Sequence, residues 1–169
     1  MMETQISRSH HGFTLIELLV VVAIIGLLSS IVFASLNNAR HKARIARAQA
    51  DLAALRDAVA LLEADTGLHP NHLSPTPCVL DPEVFLDSCA AGLLCTDGSF
   101  PNWNGPYLSR PPVDPWSNPY RFDPDYRCTD QCEGVAPDTW VRAIHSLGPN
   151  GVAEYGPGSD NIVLVLCAS

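Results

Sequence analysis

Polarity alone divides the chain into three stretches. Residues 13–36 are apolar at most positions, with Glu17 as the single ionisable side chain. Residues 45–62 carry Ile45, Ala48, Leu52, Leu55, Val59 and Leu62 in steps of 3, 4, 3, 4 and 3, which places them on one face of a helix. Arg47, Asp57 and Asp65 fall roughly opposite. Gly67 and Pro70 then supply a stop signal. The pattern therefore predicts one helix over 13–66, about 80 Å long at 1.5 Å per residue.

Beyond Gly67 the periodicity changes. The segment 67–100 is rich in turn residues and reads as a long loop, with a short helix near 82–92. Tyr120 and Phe122 alternate with Arg121 after a Pro-rich turn, as in a strand. "TWVRAIHSLG", residues 139–148, predicts a second strand ending at Gly148. "NIVLVLC", residues 161–167, is apolar without alternation, as in a strand covered on both faces. Three short strands form a small antiparallel sheet that can lie on the helix stripe, giving an α+β fold. A coiled-coil dimer is the other way to cover that stripe.

The distribution of helix-breaking residues supports this division. All 14 prolines lie at Pro70 or later, and only Gly12, Gly26 and Gly67 of the 11 glycines precede residue 70. Proline interrupts a helix and glycine weakens it. Within 13–36, Gly26 is small enough to let helices approach closely. This 24-residue stretch is long enough to cross a hydrocarbon core of roughly 30 Å. No A-x-A cleavage site follows it, so it reads as an anchor that is retained. A carboxylate in such a segment is a functional candidate, because hydrocarbon disfavours an unpaired charge. The bland reading is that Glu17 merely reaches the headgroups.

Charge and cysteine use bear on which side of the membrane each end occupies. From Asp57 onward, 15 acids face four bases, a balance of −11. Such a surface repels phosphate backbones and argues against direct nucleic-acid binding. Cys78, Cys89, Cys95, Cys128, Cys132 and Cys167 are even in number and confined to the loop-rich end. They are disulfide candidates with 15 possible pairings, and their spacings lack the paired C-x2-C knuckles of a strong zinc site. Disulfides place the C-terminal end outside the cytosol. The basic residues Arg40, Lys42, Arg44, Arg47 and Arg56 follow the span, and by charge alone they favour the opposite insertion. His69 and His72 form an H-x2-H pair among prolines and read as solvated. His145 lies within a predicted strand and reads as packed or exposed. The chain has no G-x-S-x-G elbow, phosphate-binding loop or H-E-x-x-H motif, so its residues give no support for an enzyme.

"GFTLIELLVVVAIIGLL", residues 12–28, resembles the class III signal of type IV pilins and of the pseudopilins of type II secretion. The resemblance implies that a prepilin peptidase cuts between Gly12 and Phe13. The leader 1–12 is removed, and Phe13 becomes an N-methylated terminus. Residues 13–36 then form the transmembrane and filament-core helix, 37–66 its amphipathic continuation, and 67–169 a globular head. In a helical filament of many copies, Glu17 pairs with the new terminal amine of a neighbour and sets the stagger. The implied partners are other pilin-like subunits, an assembly ATPase and an inner-membrane platform protein. The implied location is the bacterial inner membrane, with the head outside the cytoplasm.

"DPWSNPYRF" followed by "SLGPNG" and "GSDNI" is similar to the C-terminal region of the major pseudopilins of type II secretion. There the S-L-G loop binds calcium. Carried over by residue, this implies the Leu147 carbonyl, Asn150 and Asp160 as ligands, with Ser159, Asn161 and Glu154 as further candidates. Asn150 stands where the family usually has Asp. The alternative use of the same architecture is a surface type IV pilin for adhesion, motility or DNA uptake. A membrane-anchored enzyme and a filament-tip binding module belong to different classes.

Overall fold

Helix α1 spans Leu15–Thr66 in the computed structural model, which describes residues 13–78, 82–129, 132–154 and 158–168. Its C-terminal end forms where the sequence signals it. Gly67 adopts φ +72°, a conformation that disfavours residues with a Cβ. The Gly67 amide donates to the Glu63 carbonyl at 2.8 Å, and the Thr66 hydroxyl donates to Leu62 at 2.7 Å.

Two compact units divide the chain at Lys42/Ala43, and each is described by itself. In the first, the large apolar side chains from Phe13 to Leu36 are exposed, among them Leu18, Ile25 and Phe33. α1 is long and apolar enough to cross a membrane. In the second unit the predicted stripe is buried from Ala48 onward, with Ile45 half-buried. Ala48, Leu52, Leu55, Val59 and Leu62 are each at most 2% exposed, and Ala58 joins them.

A sheet of four antiparallel strands, in the order β1-β2-β3-β4, covers that stripe. The strands are β1 (Val84–Phe85), β2 (Arg121–Cys128), β3 (Thr139–Ser146) and β4 (Ile162–Ala168). Phe122 pairs with Ile144, and Ile144 with Leu164. These three side chains share one face and join the helix residues, Leu86, Leu93, Phe100 and Tyr120 in the main core. Polar ties cross the same interface. The Tyr120 hydroxyl donates to Asp51 at 3.2 Å and the Tyr107 hydroxyl to Asp65 at 2.8 Å.

The opposite face is buried as well. Tyr126, Val141, Ala143, Cys128 and Cys132 form a second cluster, with Val135, Val163 and Val165 packed against it. β4 thus divides its side chains between two cores, which explains its lack of alternation. β2 accommodates Pro124 at an irregularity between Asp123 and Tyr126, where no ladder hydrogen bond is required of it.

The structure corrects three expectations. The short helix near 82–92 is instead β1 and a single 3-10 turn, Cys89–Ala91, capped by the Ser88 hydroxyl and closed by Gly92 at φ 72°. The sheet gains that fourth strand because Val84 and Phe85 register against Phe122 and Arg121. His69 is not solvated. It is buried and stacks on Phe122 at 5.5 Å, and burial pushes its pKa down to about 4. His72 is half-buried against Phe100.

All six cysteines are paired, as Cys78–Cys167, Cys89–Cys95 and Cys128–Cys132. The first closes 89 residues and the second only 6. Chain entropy then assigns about 4.6 kcal/mol to the long closure and about 2.2 kcal/mol to the short one. Replacing Cys78 and Cys167 by Ala is therefore expected to lower unfolding free energy more than the Cys89/Cys95 double replacement, by about 2 kcal/mol. Urea titration of the two double variants measures the difference.

Candidate functional site

At its start, α1 is held by a reciprocal pair of side chains. The Thr14 amide and hydroxyl both donate to Glu17 Oε2, at 2.9 and 2.7 Å, while the Glu17 amide donates to Thr14 Oγ1 at 3.3 Å. This is a capping box, in which the side chains three residues apart satisfy each other's amides. Thr14 and Glu17 were separable in the sequence as a T-x-x-E signature, yet the apolar run drew attention to Glu17 alone. Both donors use Oε2, leaving Oε1 outside the box. Phe13 directly precedes it, and its ring is exposed. Gly12 and the rest of the expected leader lie outside the described residues.

The second candidate region is the loop joining β3 to β4. Gly148 has φ +66°, and a Cβ there would lie 2.4 Å from the Asp160 carbonyl oxygen and 2.8 Å from Asp160 Oδ1. Residues 148 and 160 are thus in direct contact, with Leu147 adjoining. Asp160 Oδ1 and Asn161 Oδ1 are buried and have no hydrogen-bond partner among the described residues. The Glu154 carbonyl accepts from Asn161 Nδ2 at 3.0 Å and from the Ser159 hydroxyl at 3.3 Å. Asn150 is exposed, and its Oδ1 accepts from the Val152 amide at 2.8 Å. This loop gathers oxygen atoms with unused acceptor capacity, the donor chemistry that calcium selects.

Asp114 and Asn118 support the loop from outside it, and sequence reasoning missed both roles. Asp114 is nearly fully buried. Its Oδ1 accepts from the Trp116 and Asn118 amides at 2.9 and 2.8 Å, and its Oδ2 from the Ser146 hydroxyl at 2.6 Å. The Ser146 oxygen accepts in turn from the Gly148 amide at 3.0 Å. Asn118 Nδ2 donates to the Gly148 carbonyl, also at 3.0 Å. An Asp four residues before Asn among prolines signals a turn. Its partner Ser146 lies 32 residues away, a distance no local pattern reveals.

His145 occupies β3 and is fully buried, packed on Tyr126 at 5.1 Å. Burial, with the Arg121 charge second, pushes its pKa down to about 3, so the imidazole is neutral at pH 7. Buried Arg142 donates to the Pro75 and Pro77 carbonyls at 2.5 and 2.6 Å, pinning the segment before Cys78.

The chain matches the family model described as the prokaryotic N-terminal methylation motif over residues 7–33. It is 33% identical over 149 residues to the type II secretion system core protein G of Escherichia coli K12, covering 88% of this chain and 87% of that protein. The core protein G of Pseudomonas aeruginosa is 31% identical over 157 residues, covering 91% and 92%. That of Aeromonas hydrophila is 32% identical over 115 residues, covering 68% and 73%.

Asp114→Ala would strand the buried Ser146 hydroxyl and two turn amides. Each unsatisfied donor costs about 1–3 kcal/mol, so a loss of about 3 kcal/mol or more in unfolding free energy is expected. Asn118→Ala removes the bond to the Gly148 carbonyl and a long one, 3.5 Å, to Asp114 Oδ2, and is expected to cost about 1 kcal/mol. Chemical denaturation of both variants checks the ranking.

Proposed function

The chain belongs to the family of type II secretion system core protein G, the major pseudopilins, and from that membership we propose that it is a structural subunit of a pilus-like filament serving type II protein secretion. The observation that carries this reading is the exposed apolar segment 13–36, headed by the Thr14–Glu17 box and overlapping the methylation motif over 13–33. An uncovered helix of that length requires lipid or other helices as its surroundings. A membrane serves before assembly and neighbouring subunits serve afterwards. Family membership favours this role over the surface type IV pilin, and favours a structural role over an enzymatic one.

In this reading prepilin peptidase removes 1–12, cutting between Gly12 and Phe13, and Phe13 is N-methylated. Residues 13–36 form the filament core, 37–66 continue the helix, and 67–169 form the head. The head is exported from the inner membrane, where its disulfides are stable. Glu17 has two tasks. Oε2 caps its own helix, and Oε1 receives the methylated amine of an adjacent subunit. An incorrect stagger leaves both charges unpaired in an apolar environment, so the pair selects register. Other pilin-like subunits, an assembly ATPase and a platform protein complete the machine.

We further propose that the β3–β4 loop holds a calcium ion through the Leu147 carbonyl, Asn150 and Asp160. The buried Asp160 Oδ1 and Asn161 Oδ1, without hydrogen-bond partners among the described residues, support this assignment. The Gly148 approach leaves no room for a side chain there. A bound Ca2+ supplies a charge that neutralises Asp160 and joins the two ends of the loop. Asp114 and Asn118 hold the Gly148 side of that loop in place.

Mass spectrometry of the protein from cells is expected to find a mature chain beginning at methylated Phe13. A functional chain retaining residues 1–12 contradicts the assignment. Glu17→Leu is expected to insert in the membrane but to be poorly incorporated into filaments, as read by cross-linking. For calcium, melting of the purified protein should rise by roughly 5–10 °C at a hundredfold excess over Kd. Asp160→Ala should abolish that rise, and an equal melting temperature with calcium and with chelator removes the claim.

A further inference from the structure

The three bridges of the head are nested. Cys78, the first cysteine of the chain, is bonded to Cys167, the last, across 89 residues. Cys89–Cys95 and Cys128–Cys132 lie inside that span and close only 6 and 4 residues. Cys78 therefore has two thiols nearer than its native partner, Cys89 at 11 residues and Cys95 at 17. Closure of a flexible loop becomes rarer as about the three-halves power of its length. In the unfolded chain Cys78 meets Cys89 about twentyfold, and Cys95 about tenfold, more often than it meets Cys167. Native Cys89–Cys95 closure competes with these contacts. The same weighting still puts roughly 40% of first closures among Cys78, Cys89 and Cys95 on a pair that includes Cys78.

Only the folded head overrides these odds. β3 and β4 register Cys167 against Arg142. Buried Arg142 donates to the Pro75 and Pro77 carbonyls, which carries the segment ending at Cys78 to the same place. The native pair thus meets after β3, β4 and that segment have come together, whereas its competitors need a few residues of loop alone. A Cys78–Cys89 bridge occupies the sulfur that fastens the last strand, so a head oxidised early is left with β4 untied.

We propose that maturation of this chain includes a rearrangement by a thiol–disulfide isomerase outside the cytoplasm, which moves Cys78 from Cys89 or Cys95 to Cys167. In a chain bridged as Cys78–Cys89 and Cys95–Cys167, a thiolate of the isomerase attacks Cys78 Sγ. That S–S bond breaks, Cys89 leaves as a thiolate, and a mixed disulfide forms between the isomerase and Cys78. The Cys89 thiolate attacks Cys95, forming Cys89–Cys95 and releasing the Cys167 thiolate. Cys167 then attacks Cys78 Sγ, closing the native bridge and releasing the isomerase thiolate. Two disulfides enter and two leave, so no net oxidant or proton is consumed. The inference rests on the exported location of the head given above, and it is independent of the filament and calcium readings.

The test uses the full chain, unfolded and reduced in urea, then diluted into detergent micelles with oxidised glutathione, either alone or with protein disulfide isomerase. Proteolysis without reductant and mass spectrometry identify the pairs at timed intervals. Without isomerase, a large early fraction is expected to carry Cys78 on Cys89 or Cys95. With it, Cys78–Cys167 should accumulate at least about tenfold faster. The double variant Cys89→Ser/Cys95→Ser lacks both nearer thiols and should form Cys78–Cys167 at the same rate with and without isomerase. The double variant Cys128→Ser/Cys132→Ser keeps them and should retain the dependence. Native pairing of the unmodified chain with no Cys78–Cys89 or Cys78–Cys95 species overturns the proposal, as does an isomerase dependence that survives the loss of Cys89 and Cys95.

Discussion

The head is organised by one apolar stripe, from Ala48 to Leu62, that α1 cannot bury by itself. A lone helix in water gains little from its own hydrogen bonds, and most of its stability comes from packing its apolar face. Here the sheet supplies that packing through Phe122, Ile144 and Leu164. This contact fixes β3 and β4, the strands that the loop connects, and Asp114 and Asn118 then hold its Gly148 end. The apolar segment 13–36 has no such cover in its own unit, and that difference between the two parts of one helix is the physical basis of a subunit that anchors, then assembles.

Carboxylates do most of the local specification. Glu17 closes the helix start, Asp114 gathers a turn and the end of β3, Asp160 meets Gly148, and Asp123 sits fully buried beside His145. In each case an acid meets donors or a close backbone approach that only one arrangement of the chain provides. Such groups add little bulk stability. Their unsatisfied alternatives are unfavourable enough to exclude competing arrangements. The strongly acidic balance of the head has the same origin, since many of its acids are occupied in turns and ion pairs.

The disulfides distribute the constraint unevenly. Cys89–Cys95 and Cys128–Cys132 close short local loops, whereas Cys78–Cys167 joins the segment after the helix to the last strand. Arg142 reinforces the same junction from β3 by donating to the Pro75 and Pro77 carbonyls. A segment of the head rich in proline and poor in regular structure is thereby attached to both central and edge strands.

Several features were decided by sequence alone. The helix and its stop at Gly67, the buried stripe, the strands β2, β3 and β4, the membrane-length apolar run and the family motif are all local or periodic, and periodicity survives in one dimension. The two-residue strand β1, the cysteine pairing, the burial of His69 and the Asp114–Ser146 contact were decided only by tertiary structure. Each depends on residues far apart in the chain, and no local spacing carries that information. Glu17 belongs to both groups. Its sequence position marked it as a candidate, and only the folded helix start revealed that one of its oxygens is already engaged with Thr14.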